Sequence, residues 1–405
     1  MEITTHVLLW AFGLAVILGI VATKTSFCTM GAVSDWVNIG TTGRMRAWVF
    51  AIGASILGVL VAGQLGLVDM SLTANNDTAN PPYRTAVFAW PRNVLGGLLF
   101  GIGMTLGSGC GNKTLVRIGG GNLKSVVVFL VMGAAAYLMI FTNFSYDFFL
   151  SWMEPAFINL TDHGVGDQSI GAIISGLGGF DAEITGIVVA VLIGSALVLW
   201  SLASKEFTAS FDNVLSAVTL AILVVAAWWV TTGELGVSLL DEAEMMDERP
   251  YGIGAQGFTF VQPSAHFLRW IETGFSSQML TFALIAAVGV SSGSLIYSVF
   301  TKKFKVEWFA NGKDFVRHVI GGLLMGIGGV LAMGCTIGQA VTGASTLALG
   351  SFITFFAIIF GSALTMKIQY YGMVYEEESN FFKALVASLA DMHLLPASWR
   401  QLEKV

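Results

Sequence analysis

Three cysteines, Cys28, Cys110 and Cys335, are the residues of this chain best suited to chemistry. A thiol can donate a weak hydrogen bond, ligate a soft ion or exchange electrons. An odd number of cysteines, spread over most of the chain and absent from its long polar loops, argues against a disulfide framework. Their flanks carry more information. Cys110 stands in GSGCGNKTLVRIGGGN, with Gly109, Gly111, Asn112 and Lys113 around it and Arg117 downstream. Cys335 stands in GCTIGQAVTGAS, beside Gly334, Thr336, Gly338 and Gln339, and Cys28 stands in KTSFCTMGAVSDW, four residues after Lys24. A short helix beginning at such a cysteine aims free N–H groups and a positive dipole end into the protein, an arrangement that binds anions. Lys113 and Arg117, with Lys24 near Cys28, would add positive potential.

The elements that must position these residues are membrane helices. The chain has 405 residues, of which 55% are hydrophobic and only 11% charged, and the charges cluster between long uncharged stretches. A hydrocarbon core about 30 Å thick needs about 20 apolar residues in helical form. Nine segments approach that length: His6 to Ala22, Ala47 to Val68, Asn93 to Leu106, Ser125 to Phe141, Ile184 to Leu202, Val214 to Val230, Met279 to Phe300, Val319 to Met333 and Thr346 to Met366. The expectation is an all-α integral membrane protein of about nine transmembrane helices, forming a single domain over residues 1–405. The first segment follows Glu2 rather than a basic run and lacks a small-residue cleavage site, so it reads as a helix and not a signal peptide.

Lys302, Lys303, Lys305, Lys313 and Arg317 mark one loop as cytoplasmic. The acidic stretches Ser145 to Glu183 and Thr231 to Gln278 are expected outside, which puts the N-terminus outside and the C-terminus inside; the linker from Asp69 to Arg92 fits either side. The net charge of −6 carries little weight beside this distribution, and no basic run suggests nucleic acid.

The third and eighth segments are copies of one another. Asn93 to Cys110 and His318 to Cys335 align without gaps and share 11 of 18 residues. Five spans apart, they cross the membrane in opposite directions, so the repeat is inverted, with halves at approximately 1–145 and 203–370. Paired glycine-interrupted segments in an inverted repeat point to a transport site, because irregular backbone in a membrane is tolerated where it lines a protected cavity.

Other residues read more plainly. Met30, Met104 and Met333 lie near the cysteines and with them could form a Cu(I) path, but no CxxC or MxxM spacing supports a metal site. Arg317 and His318 are expected as helix-end anchors, and Glu376, Glu377, Glu378, His163 and His266 as solvated surface. Intramembrane carboxylates are nearly absent, which disfavours a cation substrate. No nucleophile–base constellation, Walker loop, dinucleotide fingerprint or metal quartet is legible, so no cofactor is expected. The competing classes are a membrane sulfur or redox enzyme working through persulfides or disulfides, and a soft-metal permease.

In combination, FCTMGAVSDW, GSGCGNKTLVRIGGGN and GCTIGQAVTGASTLALGS resemble the YeeE/YedE family of sulfur-compound transporters, which includes bacterial thiosulfate-uptake proteins. Gly334, Cys335, Thr336, Gly338, Gln339, Gly343 and Ser351 match best, and Arg117, Gly119, Gly121 and Asn122 fit the middle motif. The resemblance implies a bacterial inner-membrane protein with re-entrant loops that bring Cys28, Cys110 and Cys335 to a central pathway. There their thiols would pass along a sulfur-containing anion, most simply thiosulfate, for a cytoplasmic sulfurtransferase to receive. The chain departs from the shorter members in its long outer loops and in Lys113, where a small residue is expected. Thiosulfate is a dianion, which a thiolate would repel and a neutral thiol can hydrogen-bond. A free thiol ionises near about pH 8.5, so neutral thiols are expected at pH 7. In this reading Cys110 and Cys335 are successive stations and Cys28 lies toward the cytoplasmic exit.

Overall fold

The computed structural model describes residues 2–246, 249–375, 380–400 and 402. Among them nine helices are long and apolar enough to cross a membrane. We label them α1 (Glu2–Thr25), α2 (Gly43–Gln64), α3 (Trp90–Leu106), α4 (Leu123–Phe141), α5 (Ala182–Leu202), α6 (Phe211–Thr232), α7 (Phe282–Phe300), α8 (Gly312–Leu331) and α9 (Leu349–Val374). The only strands among these residues, Val87–Phe88 and Ile158–Asn159, pair antiparallel and tie two loops together.

Helix ends explain where hydropathy misjudged the boundaries. α8 begins at Gly312, well before the apolar run at Val319, because Asn311 caps it by accepting a hydrogen bond from the Asp314 N–H at 2.9 Å. Asn122, Asp181 and Thr281 cap α4, α5 and α7 in the same way. α9 runs eight residues past the expected Met366, and there Tyr371 donates to Asp391 of the helix Phe381–Asp391 at 2.8 Å. The Glu376, Glu377 and Glu378 run lies outside the described residues.

Loops 65–89, 142–181, 233–281 and 344–348 share one face of the bundle, and loops 26–42, 203–210 and 301–311 share the other. We call these the acidic and basic faces. At the basic face Glu206 accepts from the Thr42 N–H at 2.7 Å and the Thr42 hydroxyl at 2.9 Å, which holds its carboxyl below the usual range.

Glycine sets the core. α3 and α8 pack antiparallel so closely that a Cβ on Gly96 would lie 2.8 Å from the Gly328 carbonyl oxygen, and one on Gly328 would lie 2.7 Å from that of Gly96. Gly103 and Gly321 repeat the relationship, with 2.8 Å in both directions. Small residues allow such backbone contact where no hydrophobic driving force exists between helices. The next contacts are also reciprocal: α3 packs on α9 and α8 on α4, while α1 packs on α7 and α2 on α6.

Two expectations are corrected. His266 is buried rather than solvated: the helix Gln262–Glu272 packs on α4, its imidazole meets the Tyr251 ring edge to face at 5.0 Å, and Nδ1 is 3.0 Å from the Thr281 hydroxyl. Within the acidic loop 231–278, residues 255–261 are all buried and thread into the bundle. His318 is also buried, its Nδ1 2.8 Å from the Asp314 carbonyl, so it is more than a helix-end anchor.

Candidate functional site

Each cysteine follows a break at the end of a long helix. α1 ends at Thr25, Ser26 turns into the left-handed region with φ 52°, and Cys28 opens the short helix Thr29–Ser34. α3 ends at Leu106, Ser108 turns with φ 60°, and Cys110 precedes the helix Gly111–Gly119. α8 ends at Leu331, Met333 turns with φ 57°, and Cys335 precedes the π-helical segment Gly338–Gly343. Ser108 and Met333 occupy the same place in the two motif copies, so both copies make the same backbone reversal two residues before their cysteine.

The Cys110 carbonyl accepts from the Thr114 N–H at 2.9 Å and the Thr114 hydroxyl at 3.1 Å. The N–H groups of the first turn beyond it have no helical partner, as at any helix start. The Cys335 carbonyl accepts from the Gln339 N–H at 2.8 Å, and its Sγ lies 3.4 Å from the Gly338 N–H. The Gln339 amide nitrogen donates to the Ala332 carbonyl.

The three sulfurs are brought into one line of contacts. Cys28, Cys110 and Cys335 are 5%, 1% and 0% exposed, and all three are free thiols. The Cys28 and Cys110 side chains are neighbours, Cys110 also faces the Thr336 hydroxyl, and Cys335 faces that of Thr259. The line therefore runs from the acidic-face loop segment through Cys335 and Cys110 to Cys28 at the start of the basic-face loop.

Charge is unequal along it. Lys113 and Arg117 lie at the basic end, and Arg44 joins them from α2. Arg117 Nη1 donates to the Ser108 carbonyl at 2.8 Å, and Arg44 Nε pairs with Asp35 at 3.2 Å. Gly109 makes room for Lys113, since a Cβ there would fall 2.9 Å from its Cγ. Lys24 is not part of this group: its Nζ stands 4.7 Å above the exposed Phe211 ring.

Uncommitted polar atoms line the same contacts. Thr336 Oγ1, Asn112 Oδ1, Gln339 Oε1, Thr259 Oγ1 and the Tyr83 hydroxyl are buried with no hydrogen-bond partner. Buried polar groups are normally satisfied, so these five leave hydrogen-bonding capacity free beside the cysteines. Tyr83, Thr259, Phe260 and Arg44 were not singled out in the sequence as site residues. Tyr83 sits in a linker that fits either side of the membrane. The apolar run AQGFTFV inside an acidic loop was the available signal for Thr259 and Phe260. The Phe260 carbonyl comes so near the helix Gly111–Gly119 that a Cβ on Gly111 would be 2.7 Å from it, so glycine is required there.

The cysteines themselves are closed in. A cavity of about 360 Å³ near the acidic face is lined by Thr4, Thr231, Tyr251, Gln256 and Thr281 and reaches none of them. Among the described residues no group of three or more His, Cys, Asp or Glu is placed to hold a metal ion. What the arrangement offers is a row of weak donors ending in positive charge, which suits stepwise passage of an anion.

Residues 24–364 match the family model described as sulphur transport. The thiosulfate transporter TsuA of Spirochaeta thermophila is 28% identical over 355 residues, covering 85% of this chain and 94% of that protein. The thiosulfate transporter TsuA of Escherichia coli is 22% identical over 348 residues, covering 80% of this chain and 84% of its own length.

Proposed function

Since the chain belongs to the sulphur transport family, we propose that it carries thiosulfate, or a closely related sulfur anion, inward across the bacterial inner membrane past the thiols of Cys335, Cys110 and Cys28. The observation that carries this reading is the contiguous line of buried thiols and unpartnered polar atoms leading to Lys113, Arg117 and Arg44. The substrate follows from the relatives, which are named thiosulfate transporters rather than enzymes.

In this mechanism the thiols stay protonated and donate weak S–H hydrogen bonds to the dianion. The N–H groups at the start of the helix Gly111–Gly119 and at Thr336 offset part of the hydration the ion gives up. Each station holds the ion weakly enough to release it to the next. Cys335 receives it from the outer face, Cys110 stands at the centre, and Lys113 with Arg117 and Arg44 draws it toward the cytoplasm. A soluble sulfurtransferase is the partner proposed to take it there. No covalent persulfide step is needed.

The orientation, with the N-terminus outside and the C-terminus cytoplasmic, is supported by the Lys302 to Arg317 cluster. An inverted repeat of residues 1–145 and 203–370 is supported by the exchanged contacts of Gly96 with Gly328 and Gly103 with Gly321, because these pairs swap equivalent positions of the two motif copies. The segments carrying Cys110 and Cys335 then act as the two re-entrant loops of the halves.

The test is uptake of radiolabelled thiosulfate into proteoliposomes by the wild type and by Cys110→Ala and Cys335→Ala, with sulfate, sulfite and sulfide as competitors. Loss of uptake in both variants is expected. Full uptake by a triple Cys→Ala variant would remove the thiol pathway, and a trapped covalent sulfur adduct on a cysteine would favour the enzyme reading.

A further inference from the structure

We propose that Tyr83 and Thr259, delivered by two separate loops of the acidic face, form with the Gly338 N–H an oxyanion-binding station beside the Cys335 thiol, and that this station sets the affinity with which substrate enters the pathway. The inference rests on the reading above that a sulfur oxyanion passes Cys335, and it assigns the groups that receive the oxygens.

Both side chains are 2% exposed, and neither hydroxyl has a hydrogen-bond partner. They converge on one small volume: a Cβ on Gly338 would lie 2.9 Å from Thr259 Oγ1 and 3.4 Å from the Tyr83 oxygen. The Gly338 N–H borders the same volume and meets only the weak acceptor Sγ of Cys335, at 3.4 Å. An unsatisfied buried hydroxyl is costly, so two aimed at one place require surroundings that hold them there.

Those surroundings are present. The Tyr83 ring packs edge to face on Trp228 at 6.3 Å, and Trp228 Nε1 is fixed to the Ser345 hydroxyl at 2.9 Å. On the other side, the Phe258 carbonyl accepts from Thr342 Oγ1 at 3.0 Å and the Gln256 carbonyl from Thr231 Oγ1 at 2.8 Å, which fixes the backbone carrying Thr259. The two loops are also joined to each other. Ala255 N donates to the Thr78 carbonyl at 2.7 Å and Asn80 N to the Ala255 carbonyl at 3.0 Å, so Tyr83 and Thr259 are carried by one hydrogen-bonded unit.

The chemistry fits the entry point of a conduction path. Hydroxyl and amide donors recognise anionic oxygens, and the thiol beside them suits a soft terminal sulfur. None of the three donors is charged, so a dianion is held without being trapped, in contrast to the basic end at Lys113. Gly338 is required because a Cβ there would stand 2.9 Å from Thr259 Oγ1 and 3.1 Å from its Cβ, displacing one of the donors.

The experiment measures thiosulfate binding by titration calorimetry on the purified full-length protein, and concentration-dependent uptake in proteoliposomes. The wild type is compared with Tyr83→Phe, Thr259→Val, their combination, and Gly338→Ala. Hydrogen bonds to charged groups predict that each single hydroxyl loss raises Kd and KM about tenfold with the maximal rate retained, and that the combination raises both further. Gly338→Ala should abolish binding. A merely structural role would lower the maximal rate through loss of folded protein and leave KM unchanged; unchanged Kd and KM in both hydroxyl variants, in a protein whose wild type transports, overturns the station. Absence of both binding and uptake in the wild type overturns the functional reading and the station with it.

Discussion

Cys28 and Cys110 are buried neighbours in the core, joining the chain break after α1 to the one after α3. Two thiols held this close can be oxidised to a disulfide, each giving up one proton and one electron to the oxidant. Mild oxidation with a copper–phenanthroline reagent is expected to reduce the free-thiol count from three to one and to stop transport until a reductant is added. Mass spectrometry of peptides that retain a reactive Cys28 and Cys110 after oxidation would contradict the contact.

Replacing Cys110 or Cys335 by alanine should lower thiosulfate uptake by roughly tenfold or more, since each removes a donor along a path where hydrogen bonds to a charged species are worth about 1.5–3 kcal/mol. Serine at either position should restore part of the rate, because a hydroxyl replaces the lost donor. Equal rates for alanine and serine variants would show that the side-chain donor does not matter.

Lys113→Met should weaken retention of the anion at the basic end. The guanidinium groups of Arg44 and Arg117 remain, but Arg44 is shared with Asp35 at 3.2 Å. An uptake rate reduced about tenfold, with the reduction shrinking as ionic strength is raised, is the expected result. A rate insensitive to this substitution at every salt concentration would place Lys113 outside the path.

His266 supplies a pH dependence. Burial beside Tyr251 and Thr281 holds its pKa to about 3, so the imidazole is neutral in the folded protein. The unfolded chain titrates near about 6.5 and binds a proton that the folded one refuses, so stability falls as pH drops from about 6.5 toward about 3. The slope attributable to this residue approaches about 1.4 kcal/mol per pH unit in that window. Thermal midpoints in detergent should fall more steeply with acidification for the wild type than for His266→Gln; parallel curves would exclude the effect.

Gly103→Ala and Gly321→Ala each force a methyl group to within 2.8 Å of the partner's carbonyl oxygen. Overpacking of this kind costs about 1–3 kcal/mol. The double variant should cost less than the sum, because both changes push the same two helices apart. Chemical denaturation of the purified variants measures this, and strict additivity would mean that the two sites are independent.

Hydropathy, charge placement and the GC-ending repeat were enough to determine from sequence that this is an all-α membrane protein with nine candidate spans among the described residues, because a bilayer imposes one length scale and one polarity on every segment that crosses it. The motifs around Cys28, Cys110 and Cys335 also marked out the site in one dimension. Tertiary structure alone decided that Cys28 meets Cys110, that Lys24 leaves the group for Phe211 while Arg44 enters it, and that His266 is buried. It alone brought Tyr83 and Thr259 together over Gly338. Hydropathy treats a polar loop as surface, and it carries no information about a short segment such as 255–261 that threads inward and satisfies its backbone against a second loop. The close glycine contacts of α3 and α8 likewise depend on which faces of two distant helices meet, and that choice is made only when all nine pack together.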